Sequence, residues 1–217
     1  MSAKRALTDE EIQKLLNEGF TGEYKLRNRA IFCMGLSTGY RAKEILSHKI
    51  GDVMAKKFVR EVIEIPKRLR KGNSMGQTKK LMPFAQKALQ QHIDQVYEES
   101  GHDRYGLIFN RPLFESNKRD PHTGARKPIS ARSLIEIFND AFYICNIEGA
   151  VGTHSMRKTA AKKCYEKAVE DFRSGRIDIE PIRVCKMFLG HRDIASTENY
   201  LSFLSYDLNE EDYNFQL

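Results

Sequence analysis

No stretch of this 217-residue chain is apolar for long enough to cross a bilayer. The longest uninterrupted run, Ala30-Ile31-Phe32-Cys33-Met34-Gly35-Leu36, falls far short of the ~20 residues that a spanning helix needs. Met1-Ser2-Ala3-Lys4-Arg5 leads into no apolar signal core. A cytoplasmic protein that touches no membrane is therefore expected. The chain also lacks a C-x-x-C pair. Cys33, Cys145, Cys164 and Cys185 are scattered through apolar patterns, which points to reduced core thiols rather than a disulfide framework or a zinc site. No P-loop, internal repeat or low-complexity segment is present. With 41% apolar and 30% charged residues, disorder and collagen-like chains are excluded, and the length suits one domain.

The charge is basic and unevenly placed. Of 36 Lys+Arg against 29 Asp+Glu, the window Lys56 to Lys80 alone holds nine basic and two acidic residues, which equals the whole chain's net +7. A second basic group runs from Lys118 to Arg132 and a third from Arg157 to Lys167, offset in part by the acidic tail Asp207, Glu210, Glu211 and Asp212. Concentrated positive charge favours a polyanion such as nucleic acid, although any single charge run is more often a solvated face.

Hydrophobic spacing predicts a mostly helical chain with a small antiparallel sheet. Thr8-Asp9-Glu10-Glu11 is a capping box opening a helix that stops near Gly19. A helix over Lys25 to Ser37 breaks at Ser37-Thr38-Gly39, and a short one follows from about Arg41 to Ser47. Phe58 to Ile65 and Lys80-Leu81-Met82-Pro83 read as a β-hairpin. A helix through Leu89, Ile93, Val96 and Tyr97 ends at Gly101, Leu107-Ile108-Phe109 reads as a strand, and Asn110 to Pro128 as a surface loop. Further helices are expected after Ser130, from Thr153, over Ile182 to Leu189, and after Thr197 as a cap.

Polar residues gather at the ends of these helices. Arg41 and Glu44 are three apart, as are His154 and Arg157, so each pair shares a helix face. Singly, an Arg/Glu pair is more often a surface salt bridge and a helical His more often structural. Taken in order, Ser37-Thr38-Gly39-Tyr40-Arg41-Ala42-Lys43-Glu44, the lysine-bearing hairpin, Thr153-His154-Ser155-Met156-Arg157-Lys158-Thr159, and Phe188-Leu189-Gly190-His191 through Tyr200 resemble the catalytic domain of the tyrosine recombinases, or phage-type integrases. The likeness runs from about Leu7 to Tyr200.

That resemblance implies an α+β, mostly α-helical fold with a small antiparallel hairpin. It implies an enzyme that cleaves and rejoins double-stranded DNA through a 3′-phosphotyrosyl link, with no metal and no cofactor. Tyr200 would be the nucleophile, Arg41 and Arg157 would clamp the non-bridging oxygens, His154 would accept the phenol proton, and His191 would donate to a phosphate oxygen. Glu44 would buttress Arg41. The general acid would be Lys71 in Arg70-Lys71-Gly72-Asn73, with Lys67 in reserve. Lys67, Arg68, Arg70, Lys79, Lys80 and Lys158 are the expected DNA contacts. The residue types suit the chemistry. A phenol of pKa ~10 needs a base, the alkoxide leaving group an acid, and the phosphoryl oxygens planar cationic forks that lysine does not imitate.

Residues 1–6 read as an extension, 7–205 as the catalytic domain and 206–217 as an acidic, aromatic tail. The usual N-terminal helical domain does not precede them, so the chain resembles either a single-domain member or a fragment. Lys158 stands where the family often has His. Family resemblance also implies a tetramer on paired DNA sites, a monomer or weak oligomer otherwise, and a nucleoid location. Tyr213 and Phe215 would pack into a neighbouring protomer or over their own core. Two other functions remain open at this point: nicking and closing in the manner of type IB topoisomerases, and a non-catalytic basic DNA-binding module in which Tyr200 is structural.

Overall fold

Thr8 opens the first helix. In the computed structural model, which describes residues 4–65 and 78–201, its hydroxyl accepts from the backbone of Glu11, whose carboxylate takes the Thr8 N–H in return. Helix α1 (Asp9–Lys14) then loosens into a π-helical turn at Leu15–Gly19. Arg5 holds the entry by pairing with Glu11 and donating its backbone N–H to Ala150 O at 2.8 Å.

Helix α2 (Lys25–Thr38) is buried over most of its second half and ends at Gly39. A short α3 (Ala42–Leu46) and a single turn α4 (Ile50–Val53) follow. The basic window forms two ladders rather than one hairpin. Strand β1 (Met54–Ala55) pairs with β2 (Phe58–Val59), and β3 (Val62–Glu64) pairs with β4 (Thr78–Lys80), both antiparallel, with Ile63 opposite Lys79. Helix α5 (Pro83–Ser100) starts on a proline, which spends no hydrogen-bonding N–H there, and packs along α2.

Two local expectations need correction. The run Leu107-Ile108-Phe109 is not a strand but the end of a 3₁₀ turn over Tyr105–Ile108. Tyr105 stacks on Tyr97 with centroids 4.0 Å apart and donates its hydroxyl to Asp94 at 2.7 Å, which bends the chain back onto α5. Residues 110–128 are not a plain loop either: β5 (Glu115–Arg119) and β6 (Arg126–Pro128) form a hairpin. Both strands are polar, so no apolar alternation marks them; the turn is gathered by Asp120, which accepts from the backbones of His122 and Thr123.

Ser130 caps α6 (Ala131–Ile144) by accepting from Ser133. Helix α7 covers Thr153–Arg173, α8 Pro181–Leu189 and α9 Ala195–Leu201. Thr197 is therefore inside α9 and not its cap; Asp193 performs that function by accepting from Ser196 N at 2.7 Å. The described residues divide into two compact units, up to Ala160 and from Ala161 onward, with the division within α7. Phe20, Phe32, Phe138 and Phe142 form an aromatic chain in the core of the first. In the second, Ala161, Cys185, Leu189 and Leu201 form the core. Cys33, Cys145 and Cys185 are buried and Cys164 is partly buried, all as free thiols. Among the described residues no helix is long and apolar enough to cross a membrane.

Candidate active site

The turn after α2 organises the polar residues of the first unit. Gly39 sits at φ 64, a left-handed conformation that suits glycine, and its N–H closes the helix on Gly35 O. Thr38 ties the turn from inside, donating its hydroxyl to Met34 O at 2.7 Å and accepting from Tyr40 N. The Gly39 carbonyl is thereby aimed at α7, where it accepts from Arg157 Nη1. Arg157 is 3% exposed, and this bond fixes the direction of its guanidinium from the backbone of another element.

Arg41 follows two residues on as the N-cap of α3. Glu44 reaches back to it twice, accepting from the Arg41 backbone at 2.6 Å and from its guanidinium at 3.1 Å. A flexible side chain is thus held by a capping carboxylate. His48 extends the brace: its Nδ1–H donates to Glu44 O at 2.7 Å and its ring stacks on Tyr40, 5.6 Å between centroids. Sequence patterns assign His48 no function. Its only available signal is a polar residue recurring on the buried side of a helix end.

His154, on the first turn of α7, is exposed as a residue. Partial desolvation, and then the charges of Arg157, Arg41 and Lys158, push its proton affinity below the ordinary imidazole value. The imidazole is therefore neutral near pH 7 and able to take a proton. Ser155, the next residue, is buried and accepts from Gly152 N at 3.1 Å, which starts the helix.

The second unit carries the other motif residues. Gly190 ends α8 at φ 68, and both it and His191 return their N–H groups to Lys186 O. This fold-back makes Leu189-Gly190-His191 a cap that presents a histidine. His191 Nδ1 lies 3.0 Å from Thr197 Oγ1, and its ring meets that of Tyr200 edge-on at 5.4 Å. Tyr200 also packs on the Cys185–Leu189 core and is partly exposed.

Lys80 is exposed and pairs with Glu61 at 2.8 Å, whereas Lys79 is 7% exposed on the inner side of β4. Strand alternation puts the two side chains on opposite faces, Lys79 inward and Lys80 outward. Lys158 is half-buried beside His154. Lys67, Arg68, Arg70 and Lys71 lie outside the described residues. Among the described residues no three His, Cys, Asp or Glu side chains cluster to hold a metal ion.

The profile of the phage integrase family matches residues 5–204. The chain belongs to the phage integrase family. Tyrosine recombinase XerC of Caldanaerobacter subterraneus subsp. tengcongensis is 27% identical over 195 residues, covering 89% of this chain and 46% of that protein. The chain thus spans about half the length of this curated relative. The crystal structure of XerA recombinase superposes with a TM-score of 0.61 at 20% identity, covering 100% of this chain and 68% of that one. XerH site-specific recombinase, bound to palindromic difH substrate in a post-cleavage complex, gives 0.61 at 18%, covering 98% and 54%. At such identities the likeness speaks for the fold, which is that of tyrosine recombinase catalytic domains.

Proposed function

We propose that this family member is a site-specific DNA recombinase that breaks and rejoins strands through Tyr200. The observation that carries the reading is the arrangement at the Gly39 turn. A buried Arg157 anchored on Gly39 O, a braced Arg41 two residues on and a neutral His154 lie within electrostatic reach of one another. Two fixed guanidiniums with an uncharged base beside them suit a phosphodiester.

In this reading Arg41 and Arg157 hold the two non-bridging oxygens and offset the charge that grows on them. The Tyr200 oxygen attacks phosphorus, its proton passes to His154, and a 3′-phosphotyrosyl bond forms as the bond to the 5′ oxygen breaks. Lys71, or Lys67 in its place, protonates that oxygen, and His191 donates to a phosphate oxygen from its contact with Thr197. Reversal with a different 5′ hydroxyl exchanges strands. Phosphodiester energy is kept in the protein–DNA bond, so the scheme consumes no nucleotide. The partner is duplex DNA, and exchange between two duplexes calls for four protomers. Residues 7–205 act as the catalytic domain, and the protein works at cytoplasmic, nucleoid-associated DNA.

A nicked suicide duplex tests the proposal, because loss of the short strand downstream of cleavage prevents resealing. The wild-type chain should accumulate a covalent 3′ adduct, and Tyr200→Phe should form none. An adduct of equal yield from Tyr200→Phe, or none from the wild type, would refute the nucleophile. Relaxation of a supercoiled plasmid without exchange between paired sites would convert the reading to a nicking-closing enzyme.

A further inference from the structure

The β5–β6 hairpin carries the part of the basic charge that the catalytic scheme does not use. Between it and the C-terminal end of α5 lies an open cleft of about 490 Å³, lined by His102, Asn110, Arg111, Glu115, Arg119 and Arg126 among others. Glu115 is its inner anchor, with a side chain 8% exposed. Arg111 takes that carboxylate through two bonds, Nε at 2.8 Å and Nη2 at 2.5 Å. Arg126 approaches the same carboxylate only to 4.0 Å, and Arg119 spends one N–H on Gly124 O. A second carboxylate at the cleft, Glu99, accepts from Gln95 at 2.8 Å.

Behind the hairpin the positive charge continues. Arg27, 9% exposed, donates to the Glu115 main-chain oxygen at 2.7 Å. Burial pushes its pKa down to about 10, and Arg126 adds to that push against the opposing influence of Tyr24 and Glu23. The buried His92 is likewise depressed, first by desolvation and then by Arg27 and Arg111. The cations of this wall therefore repel one another, with one carboxylate shared between two guanidiniums. Such a cluster gains from an added anion, and two planar forks with donors to spare match phosphate oxygens. Lys118 and Lys127 stand exposed on the two strands but next in sequence to Arg119 and Arg126, hence on the opposite face, where Lys127 pairs with Asp120 at 3.4 Å.

We propose that this cleft seats a backbone phosphate of duplex DNA, held by Arg119 and Arg126, and that the hairpin is an attachment point separate from the cleaving residues. The inference rests on the reading that the chain acts on DNA. A free phosphate offers the same oxygens, so the test has an arm for each source.

Each phosphate contact contributes about −0.9 to the slope of log affinity against log salt concentration. The full chain and its Arg119→Gln/Arg126→Gln variant would be titrated with a duplex of arbitrary sequence at several salt concentrations. Phosphate contacts do not read sequence, so no target site is needed. The variant slope should be shallower by about 0.9, with binding several-fold weaker at fixed salt. An unchanged slope and affinity would overturn the proposal. In the second arm, inorganic phosphate should shift the Arg126 side-chain NMR signal of the wild type, and DNA should compete that shift away. A phosphate shift that DNA leaves untouched, with an unchanged slope, would assign the cleft to the free ion and reject DNA. Should the double variant fail to fold, Arg119→Gln alone carries the same comparison, since Arg111 then still pairs with Glu115. The Tyr200 adduct is scored separately, so loss of the slope difference with the adduct intact rejects only this site. Loss of the adduct with the slope difference intact rejects only the nucleophile.

Discussion

Lys158 bears on the protonation of His154, one helical turn away. His154 is held below the usual imidazole range by desolvation and by three cations, Arg157, Arg41 and Lys158. Removing a positive charge makes protonation easier, so Lys158→Gln should raise the His154 pKa toward the ordinary value of about 6.5. Titration of the His154 ring protons by NMR in the free protein reads this directly. A pKa that stays in place would show that Lys158 does not act on His154. The consequence for rate has the same sign. In the proposed scheme cleavage needs neutral His154 and is lost as pH falls through its pKa, so the acid limb of the variant should move to higher pH. The spacing His-x-x-Arg makes the pair visible in the sequence. That Arg157 is buried and aimed by a backbone carbonyl is not, because the carbonyl belongs to a residue 118 positions away.

Helix packing decides whether those side chains arrive. Gly35 on α2 faces Met156 on α7: a Cβ there would lie 2.5 Å from Met156 Sδ and 3.2 Å from its Cβ. The sulfur can swing aside but the Cβ cannot, so Gly35→Ala has to push back the turn that holds His154 and Arg157. Overpacking of this kind costs about 1–3 kcal/mol. Denaturant unfolding should show that loss, with a several-fold slower adduct formation. Gly106→Ala, whose Cβ would meet nothing within 4 Å, should leave both nearly unchanged. At this scale the sequence is legible where local chemistry is strong. Thr8–Glu11, Ser130, Gly101 and Gly190 mark helix ends because caps are short-range hydrogen bonds. The β5–β6 hairpin is missed because its strands bury almost no apolar side chain. The 3₁₀ turn at Tyr105 is missed because a tyrosine stack and an Asp94 hydrogen bond, both tertiary, override an apolar run that reads as strand. Thr197 is misread as a cap because it lies inside α9, whose first turn donates instead to Asp193 ahead of it.

For the molecule as a whole, two buried histidines set how stability responds to acid. His92 is 4% exposed, stacks on Phe114 and donates Nε2–H to Leu113 O at 2.8 Å. Burial, followed by repulsion from Arg27 and Arg111, pushes its pKa down to about 4. His48, 1% exposed, is depressed by burial in the same direction. In the unfolded chain both titrate near 6.5. Between that value and the folded pKa, the unfolded state binds protons that the folded state refuses, so stability falls as pH drops through this window. For His92 the window runs from about 6.5 to about 4, which at 1.4 kcal/mol per unit amounts to about 3 kcal/mol. Carboxylates held low, such as Glu11 beside Arg5, lose their contribution mainly below their ordinary range near pH 4.5 and leave the upper part of the window to histidine. Unfolding free energies at pH 7.5, 6.5, 5.5 and 5.0 should therefore decline below 6.5. In His92→Gln the amide can still donate toward Leu113 O, and the lost ring stack lowers stability equally at every pH. The variant curve should accordingly sit lower overall yet descend less steeply between pH 6.5 and 5.0. An equal descent in both proteins would place the acid sensitivity elsewhere than His92.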